Sequence, residues 1–355
     1  MRDFLIIGAG IAGLSAAARL APLGGVTVLE AEEAPGFHAS GRSAALYEPN
    51  YGARATVALN RASGAELAEA GVLGPRGLMV VATEADADAF EADRRAMKLT
   101  ELTPAEARAR LPILAPAVTR AAITEAAQDI DTDLLLQGYA RTARRHGAEI
   151  RTRAAVTAIA RTAQGWRLGT AAGPVEGRMI VNAAGAWADA VARMAGLAPL
   201  GIRAFRRSIA QLPAPGGRDV RGWPMVVGAG ETWYAKPDAG KWLVSPADAD
   251  PAEPHDAFAD DMVLAEGLAR YEAMVTEPVT RVLTSWAGLR SYAPDRTLVI
   301  GPDPAEPAFA WLAGQGGQGF QSAAAAARLL ADRIAERAPE LAPDLVAALA
   351  PDRLR

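Results

Sequence analysis

The residues best placed to do chemistry stand near the start of the chain. Gly8, Gly10 and Gly13 form a GxGxxG run after the apolar stretch Phe4-Leu5-Ile6-Ile7, and Val26-Thr27-Val28-Leu29-Glu30 follows. The pattern reads strand, glycine turn, helix, strand, acidic stop, the layout of a dinucleotide-binding βαβ unit. The first glycine permits a tight turn, the second lets backbone approach a pyrophosphate, and the third lets the helix pack closely on the strand. Free N–H groups and the dipole at the helix N-terminus favour the phosphate charge. The Glu30 carboxylate is suited to accept hydrogen bonds from a ribose diol. This motif alone serves NAD and FAD equally.

Two later turns bear on that choice. A strand expected over residues 179–182 runs into Ala183-Ala184-Gly185-Ala186-Trp187, whose small residues let backbone approach a ligand. Gly314-Gln315-Gly316-Gly317-Gln318-Gly319 opens a helix expected to reach about residue 337. An NAD dehydrogenase needs only the first turn. A ligand that touches the beginning, middle and end of a chain is more naturally FAD, which is long enough to cross the fold.

Composition narrows the chemistry further. The 355 residues are 50% hydrophobic, enough for a sizeable core and two lobes. A net charge of −4 with scattered basic residues gives no footprint for nucleic acid or an anionic membrane. Cysteine is absent, which removes disulfides, thiolate nucleophiles, iron–sulfur clusters and a cysteinyl link to a flavin. His38, His146 and His255 lie far apart without ligand spacing, so no metal site is expected. No charged leader precedes the first strand, and no apolar run approaches the ~20 residues that span a bilayer, so a cytoplasmic protein without a transmembrane segment is expected.

The elements that must position these residues follow from periodicity. Helices are expected at 66–70, 84–97 and 104–111, the last opened by Thr103-Pro104 with Glu106 at capping-box spacing. Residues 133–145 read as an amphipathic helix with Thr132 as N-cap and Leu134, Leu135, Gly138, Tyr139 and Ala143 on its apolar side. Strands are expected at 149–151, 154–161 and 165–170. From about 203 to 281 the pattern changes to short alternating strands, at 209–212, 225–227, 232–236 and 241–244, with Pro237-Asp238-Ala239-Gly240 as a hairpin turn. Nucleotide-fold character returns at 298–303 and 308–313. The expected fold is α/β, a Rossmann-like FAD-binding domain with an inserted, mainly antiparallel β-sheet substrate domain. Its FAD-binding parts are 1–80, 141–202 and 285–355 with the C-terminal helix, its substrate-domain helices 81–140 and its antiparallel sheet 203–284.

Several longer stretches carry a family likeness. They are His38-Ala39-Ser40-Gly41-Arg42-Ser43-Ala44-Ala45, Asp129-Ile130-Asp131-Thr132-Asp133, residues 181–189, Tyr234-Ala235-Lys236-Pro237-Asp238-Ala239-Gly240, Ser285-Trp286-Ala287-Gly288-Leu289-Arg290-Ser291 and Gln315-Gly316-Gly317. Through them the chain resembles the D-amino-acid oxidase superfamily of FAD oxidoreductases over nearly its whole length, and within it the bacterial D-arginine dehydrogenase branch. The resemblance implies non-covalent FAD, with pyrophosphate at Gly8, Gly10, Ile11, Ala12 and Gly13 and adenine ribose at Glu30 and Ala31. It puts Ser40, Gly41, Arg42, Ser43 and Ala45 along the flavin side and Val156 near the adenine end. Ala184, Gly185, Trp187 and Gly288 join the lining. Gly316, Gly317, Gln318 and Gly319 meet the pyrimidine edge of the isoalloxazine, at a helix N-terminus that favours negative charge on reduced flavin.

For the substrate, the resemblance implies that Arg290 grips an amino-acid carboxylate beside Tyr234. A planar guanidinium binds a carboxylate bidentately and a phenol adds a neutral donor. Arg207 matches a further pocket arginine. Tyr51 falls on a lid over the site, in the turn-rich Tyr47-Glu48-Pro49-Asn50-Tyr51-Gly52. Met225 and Val227 match apolar walls, and Gln321 approaches the flavin or the substrate amine.

Two departures stand out: the branch carries a glutamate where this chain has Leu78, and a histidine where it has Leu46. Both make the pocket more apolar, while Glu48 replaces an uncharged lid residue. The implied reaction is oxidation of a D-amino acid with a neutral or hydrophobic side chain to its imino acid, which water converts to a 2-oxo acid and ammonia. The electron acceptor, oxygen or a quinone, stays open. A secondary-amine, glycine or sarcosine-type oxidase and a non-catalytic FAD-binding assembly factor are the alternatives.

Overall fold

Four consecutive apolar residues, Phe4 to Ile7, leave a strand no polar face, so both of its faces must be covered. In the computed structural model, which describes residues 1–355, strand Arg2–Ile7 lies inside an eight-stranded sheet. Strands Val26–Leu29 and Val175–Asn182 flank it in parallel, and Glu149–Arg151 extends the first side. Phe309–Ala313 pairs in parallel with the end of Val175–Asn182 through Ile180 and Phe309. Helices Ile11–Leu20, Thr132–Arg145 and Gly319–Ile334 cover one face, with Arg54–Glu69 packed on the last of them, and a second cluster around Trp166, Phe309 and Trp311 fills the other. The beginning, middle and end of the chain therefore build one sheet, as the three small-residue turns imply.

The second sheet has nine strands. Its spine is the antiparallel pair Arg203–Leu212 and Thr284–Tyr292, in register from Arg203 opposite Tyr292 to Gln211 opposite Thr284. Lys241–Ser245, Tyr234–Asp238 and Met225–Gly228 follow across the sheet. The next neighbour, Leu78–Ala82, runs parallel to Met225–Gly228, so one pair departs from the otherwise antiparallel order. Strands Leu78–Ala82 and Thr284–Tyr292 thus draw both flanks of the nucleotide-binding segments into the second sheet. Trp223, Trp233 and Trp242 pack on its outer face beneath helix Asp261–Glu272, whose Tyr271 ring meets Trp233 edge-on. Its inner face turns toward the first domain.

Several elements differ from expectation. Helix Arg54–Glu69 begins well before the expected 66; its buried side interleaves Thr56, Asn60 and Ser63 with Ala55, Leu59 and Leu67, which blurs the apolar period. Helix Thr132–Arg145 is capped by Asp131, whose side chain accepts from Leu134 N–H at 2.9 Å, in place of Thr132. Leu134 is exposed, and Leu135, Tyr139, Ala140 and Ala143 form the buried side. The capping box at Thr103 and Glu106 is present as expected. The last long helix stops at Ile334 rather than about 337.

Candidate active site

The nucleotide cradle is built from backbone. Gly8 sits at φ +101°, and a Cβ there would meet the Ala183 carbonyl oxygen at 2.6 Å. A Cβ on Gly13 would fall 1.8 Å from the Gly8 carbonyl oxygen, so helix and turn touch without side chains between them. The amides of Ile11, Ala12 and Gly13 have no partner within the helix, and Ile11 N–H donates instead to Ser40 Oγ at 3.0 Å. Glu30 is buried and held in place by Ala9 N–H at 2.7 Å and Glu32 N–H at 3.0 Å. Its carboxylate faces a cavity of about 490 Å³ that runs from the glycine turn to the second sheet.

That cavity gathers most of the expected cofactor residues. Gly8, Gly10, Ile11, Ala12, Glu30 and Ala31 line one end, with Val156, Ala184, Gly185 and Trp187 beside them. Ser40, Arg42, Ser43, Ala45, Gly288, Gly316, Gly317 and Gly319 line the rest. Gly13 and Gly41 line no part of it: each packs on backbone, Gly13 on Gly8 and Gly41 on the Gly36 carbonyl oxygen. Gln318 faces the neighbouring cavity instead. The Arg42 guanidinium turns away to Asp256 and to the carbonyls of Ala257 and Ala287, at 2.7 and 3.0 Å, so it pins the loop. Gly316 lies at φ +55° against the Tyr292 ring, leaving backbone exposed to the cavity where the helix Gly319–Ile334 begins. A long, small-residue channel with a phosphate-suited turn at one end and a helix N-terminus at the other fits an extended dinucleotide.

A second cavity, of about 1030 Å³, adjoins the first. The two share Arg207, Tyr234, Arg290, Gly317, Gln321 and the segment Ser43 to Leu46. Leu46, Glu48, Tyr51, Leu78, Met225 and Val227 also line the second cavity, so every expected pocket residue is brought together there. The sheet explains how: Met225 and Leu78 are register partners, as are Arg207 and Gly288. Arg290, two residues beyond Gly288, shares the face of Arg207, since side chains alternate along a strand.

The electrostatics of this junction are uneven. Neither guanidinium pairs with a carboxylate, and the buried Nε of Arg207 has no hydrogen-bond partner. Burial, and then the like charge of Arg290, lower the Arg207 pKa from its ordinary value. Burial also opposes the charge on Arg290, but Tyr234, Tyr292, Tyr51 and Glu231 around it outweigh burial and raise its pKa. The Tyr51 phenol is pushed up by burial and then by Glu231, to which its hydroxyl donates. Arg207 is buried and Arg290 half-buried, and with no carboxylate in direct contact with either, the pair is costly unless an anion joins it. Sequence reasoning missed Asp93, Glu231 and Tyr292 on this wall. Asp93 stands in the charged run Glu91-Ala92-Asp93-Arg94-Arg95, which reads as a solvated helix face, so no local signal marks it.

Beneath the shared segment lies a buried tie. Lys236 Nζ donates to Asp129 Oδ1 at 2.7 Å and to the Ala45 carbonyl at 3.3 Å, and Asp129 also pairs with Arg76. Lys236 follows Tyr234 by two residues on one strand, so the tie couples the cofactor loop to the strand that carries the pocket phenol.

Comparisons with known proteins agree with this architecture. Glycine oxidase from Geobacillus kaustophilus superposes with a TM-score of 0.84 at 22% identity, covering 98% of each chain. L-alpha-glycerophosphate oxidase from Mycoplasma pneumoniae, solved with FAD bound, gives 0.84 at 20% identity over 94% of each chain. L-proline dehydrogenase from P. horikoshii gives 0.82 at 20% identity, covering 99% of this chain and 97% of that one. These likenesses are of fold. No helix is long and apolar enough to cross a membrane. The family model described as "FAD dependent oxidoreductase", DAO, matches residues 3–333, and the chain accordingly belongs to that FAD-dependent family.

Proposed function

We propose that the protein oxidises the Cα–N bond of a D-amino acid, giving the imino acid and, after hydrolysis, a 2-oxo acid and ammonia. One observation carries the reading: Arg290, charged and without a counter-ion, stands with Tyr234 where the cofactor cavity opens into the larger one. FAD, once bound, supplies a two-electron acceptor for a hydride from Cα. The chain supplies the rest. Arg290 takes the carboxylate bidentately, Tyr234 donates a further hydrogen bond, and Arg207 adds positive potential. With the carboxylate fixed, Cα is held near the Ser43 to Leu46 segment and Gly317, and rate comes from orientation more than from acid–base groups. Tyr51, tied to Glu231, closes the cavity from the lid side and keeps water from the reacting carbon.

Side-chain preference is read from Leu46, Leu78, Met225 and Val227, since Asp93, Glu231 and Asp248 on the same cavity are already bonded to Gly230 N–H, Tyr51 and Ser208 with Arg206. We read the substrate as neutral or hydrophobic, which separates the chain from the D-arginine branch its sequence resembles. Anaerobic mixing with D- and L-amino acids, glycine, sarcosine and D-arginine, followed at the flavin absorbance band, tests this. Bleaching by apolar D-amino acids is the expected result. Bleaching by sarcosine or glycine alone would replace the reading with the secondary-amine one, and bleaching by D-arginine above all others would overturn the apolar pocket.

A further inference from the structure

Four carboxylates line the larger cavity: Glu48, Asp93, Glu231 and Asp248. Three are engaged by donors. Asp248 accepts from Ser208 N–H at 2.6 Å and Ser208 Oγ at 2.8 Å and pairs with Arg206. Asp93 accepts from Gly230 N–H at 2.8 Å, and Glu231 takes the Tyr51 hydroxyl. Glu48 differs. It is 2% exposed, its Oε1 accepts from Asn50 N–H at 2.9 Å and Asn50 Nδ2 at 3.2 Å, and its Oε2 has no partner. A buried carboxylate oxygen left in that state is rare and costly, and it calls for a donor supplied from outside the chain.

The donor's identity follows from position. Glu48 N–H donates to Gln321 Oε1 at 2.9 Å, and Gln321 lies with Arg290 and Tyr234 where the two cavities meet. An amino acid whose carboxylate is held by Arg290 has one other charged group common to every side chain, its ammonium. We propose that Glu48 is the amine-binding residue of this site, its Oε2 receiving the substrate ammonium and taking one proton from it before oxidation. The inference rests on the amino-acid reading above and adds a residue to it.

The step balances. An ammonium has no lone pair to form a C=N bond. One N–H bond breaks with its electron pair staying on nitrogen, and an O–H bond forms at Glu48. That pair then forms the C=N bond as the Cα hydride leaves with two electrons for the bound FAD. Burial raises the Glu48 pKa, which narrows the gap to an ammonium. Tyr47 adjoins it, and the charged and titratable groups that line the same cavity are Arg54 and Arg61 of helix Arg54–Glu69, Tyr51 of the lid, Asp93 and Glu231 opposite, and Arg207, Tyr234, Asp248, Arg290, Tyr292 and Arg296 of the second sheet and its loops.

The test compares D-leucine with 4-methylpentanoate, the same molecule without its amine, by calorimetry on FAD-loaded protein reduced beforehand so that neither ligand is turned over. Glu48→Gln should weaken D-leucine by about tenfold or more and leave 4-methylpentanoate within about twofold. Glu48→Asp should recover part of the preference. With oxidised enzyme, the acidic limb of kcat/KM for D-leucine should move up in Glu48→Gln, toward the pKa of the free ammonium. Equal weakening of both ligands, or of neither, overturns the assignment. If Arg290→Ala leaves both affinities at the wild-type value, the amino-acid reading itself fails, an outcome separate from a silent Glu48 substitution.

Discussion

The cofactor cavity and the substrate cavity adjoin, yet they are made by different means. The first is a backbone surface: glycines and alanines withdraw, and amides and a helix end provide the polarity. The second is a side-chain surface: strands from remote parts of the chain deliver Arg207, Tyr234, Arg290 and Tyr292, while loops and helices deliver Tyr51 and the carboxylates. The difference is one of tolerance. A backbone cradle fails outright when a methyl group enters it, whereas a side-chain pocket loses function in steps.

The strongest challenge to that contrast is Gly13→Ala. Its new Cβ has no room beside the Gly8 carbonyl oxygen, so the purified protein should lose its flavin, read as the ratio of flavin to protein absorbance. Retained yellow colour would show that the cradle yields as side chains do. Next comes Arg290→Ala, which should keep the flavin and lower kcat/KM for the preferred amino acid by about 10²–10⁴-fold. Arg207→Ala should cost about 10–100-fold, since it adds potential beside the primary contact. Lys236→Met leaves Asp129 with Arg76 alone and should destabilise the fold by about 1–3 kcal/mol, seen as a lower Tm with flavin content intact.

The smallest expected effect has a definite sign. The Glu48 pKa is raised by burial, so its charge costs folding stability. That cost is absent below the usual glutamate range, grows as pH rises, and is complete above the raised folded value. Flavin-free Glu48→Gln should therefore melt above wild type at pH 8, with the difference shrinking as the pH falls toward 4. A wild type that melts higher at pH 8 would mean that Oε2 already has a partner in the protein.

The same contrast governs what the sequence discloses. Gly8, Gly10, Gly13 and Glu30 sit in one short window, and their spacing carries their geometry. The pairing that brings Arg207 opposite Gly288, and hence beside Arg290, has no local signature, and only the family resemblance marks those residues. Glu231 and Asp93 were missed because a turn glutamate and an aspartate in a charged helix look like ordinary surface. Residues 54–65 of helix Arg54–Glu69 escape notice for the opposite reason. Their buried side mixes polar groups among Ala55 and Leu59: Asn60 donates to the Tyr51 carbonyl and Ser63 Oγ accepts from Ala325 N–H. Only the tertiary partner explains the pattern.

Helix Ile11–Leu20 packs on Gly319–Ile334, Phe309–Ala313 extends the sheet of Arg2–Ile7 through Val175–Asn182, and the pocket arginines meet when Thr284–Tyr292 joins Arg203–Leu212. On the ribosome, then, residues 2–30 wait for residues 284–334. The nascent chain makes its most recognisable motif long before it gains the means to retain flavin. Non-local pairing of this kind folds slowly and exposes apolar strands meanwhile. A chain released before residue 309 should emerge colourless and prone to aggregate, however intact its glycine turn.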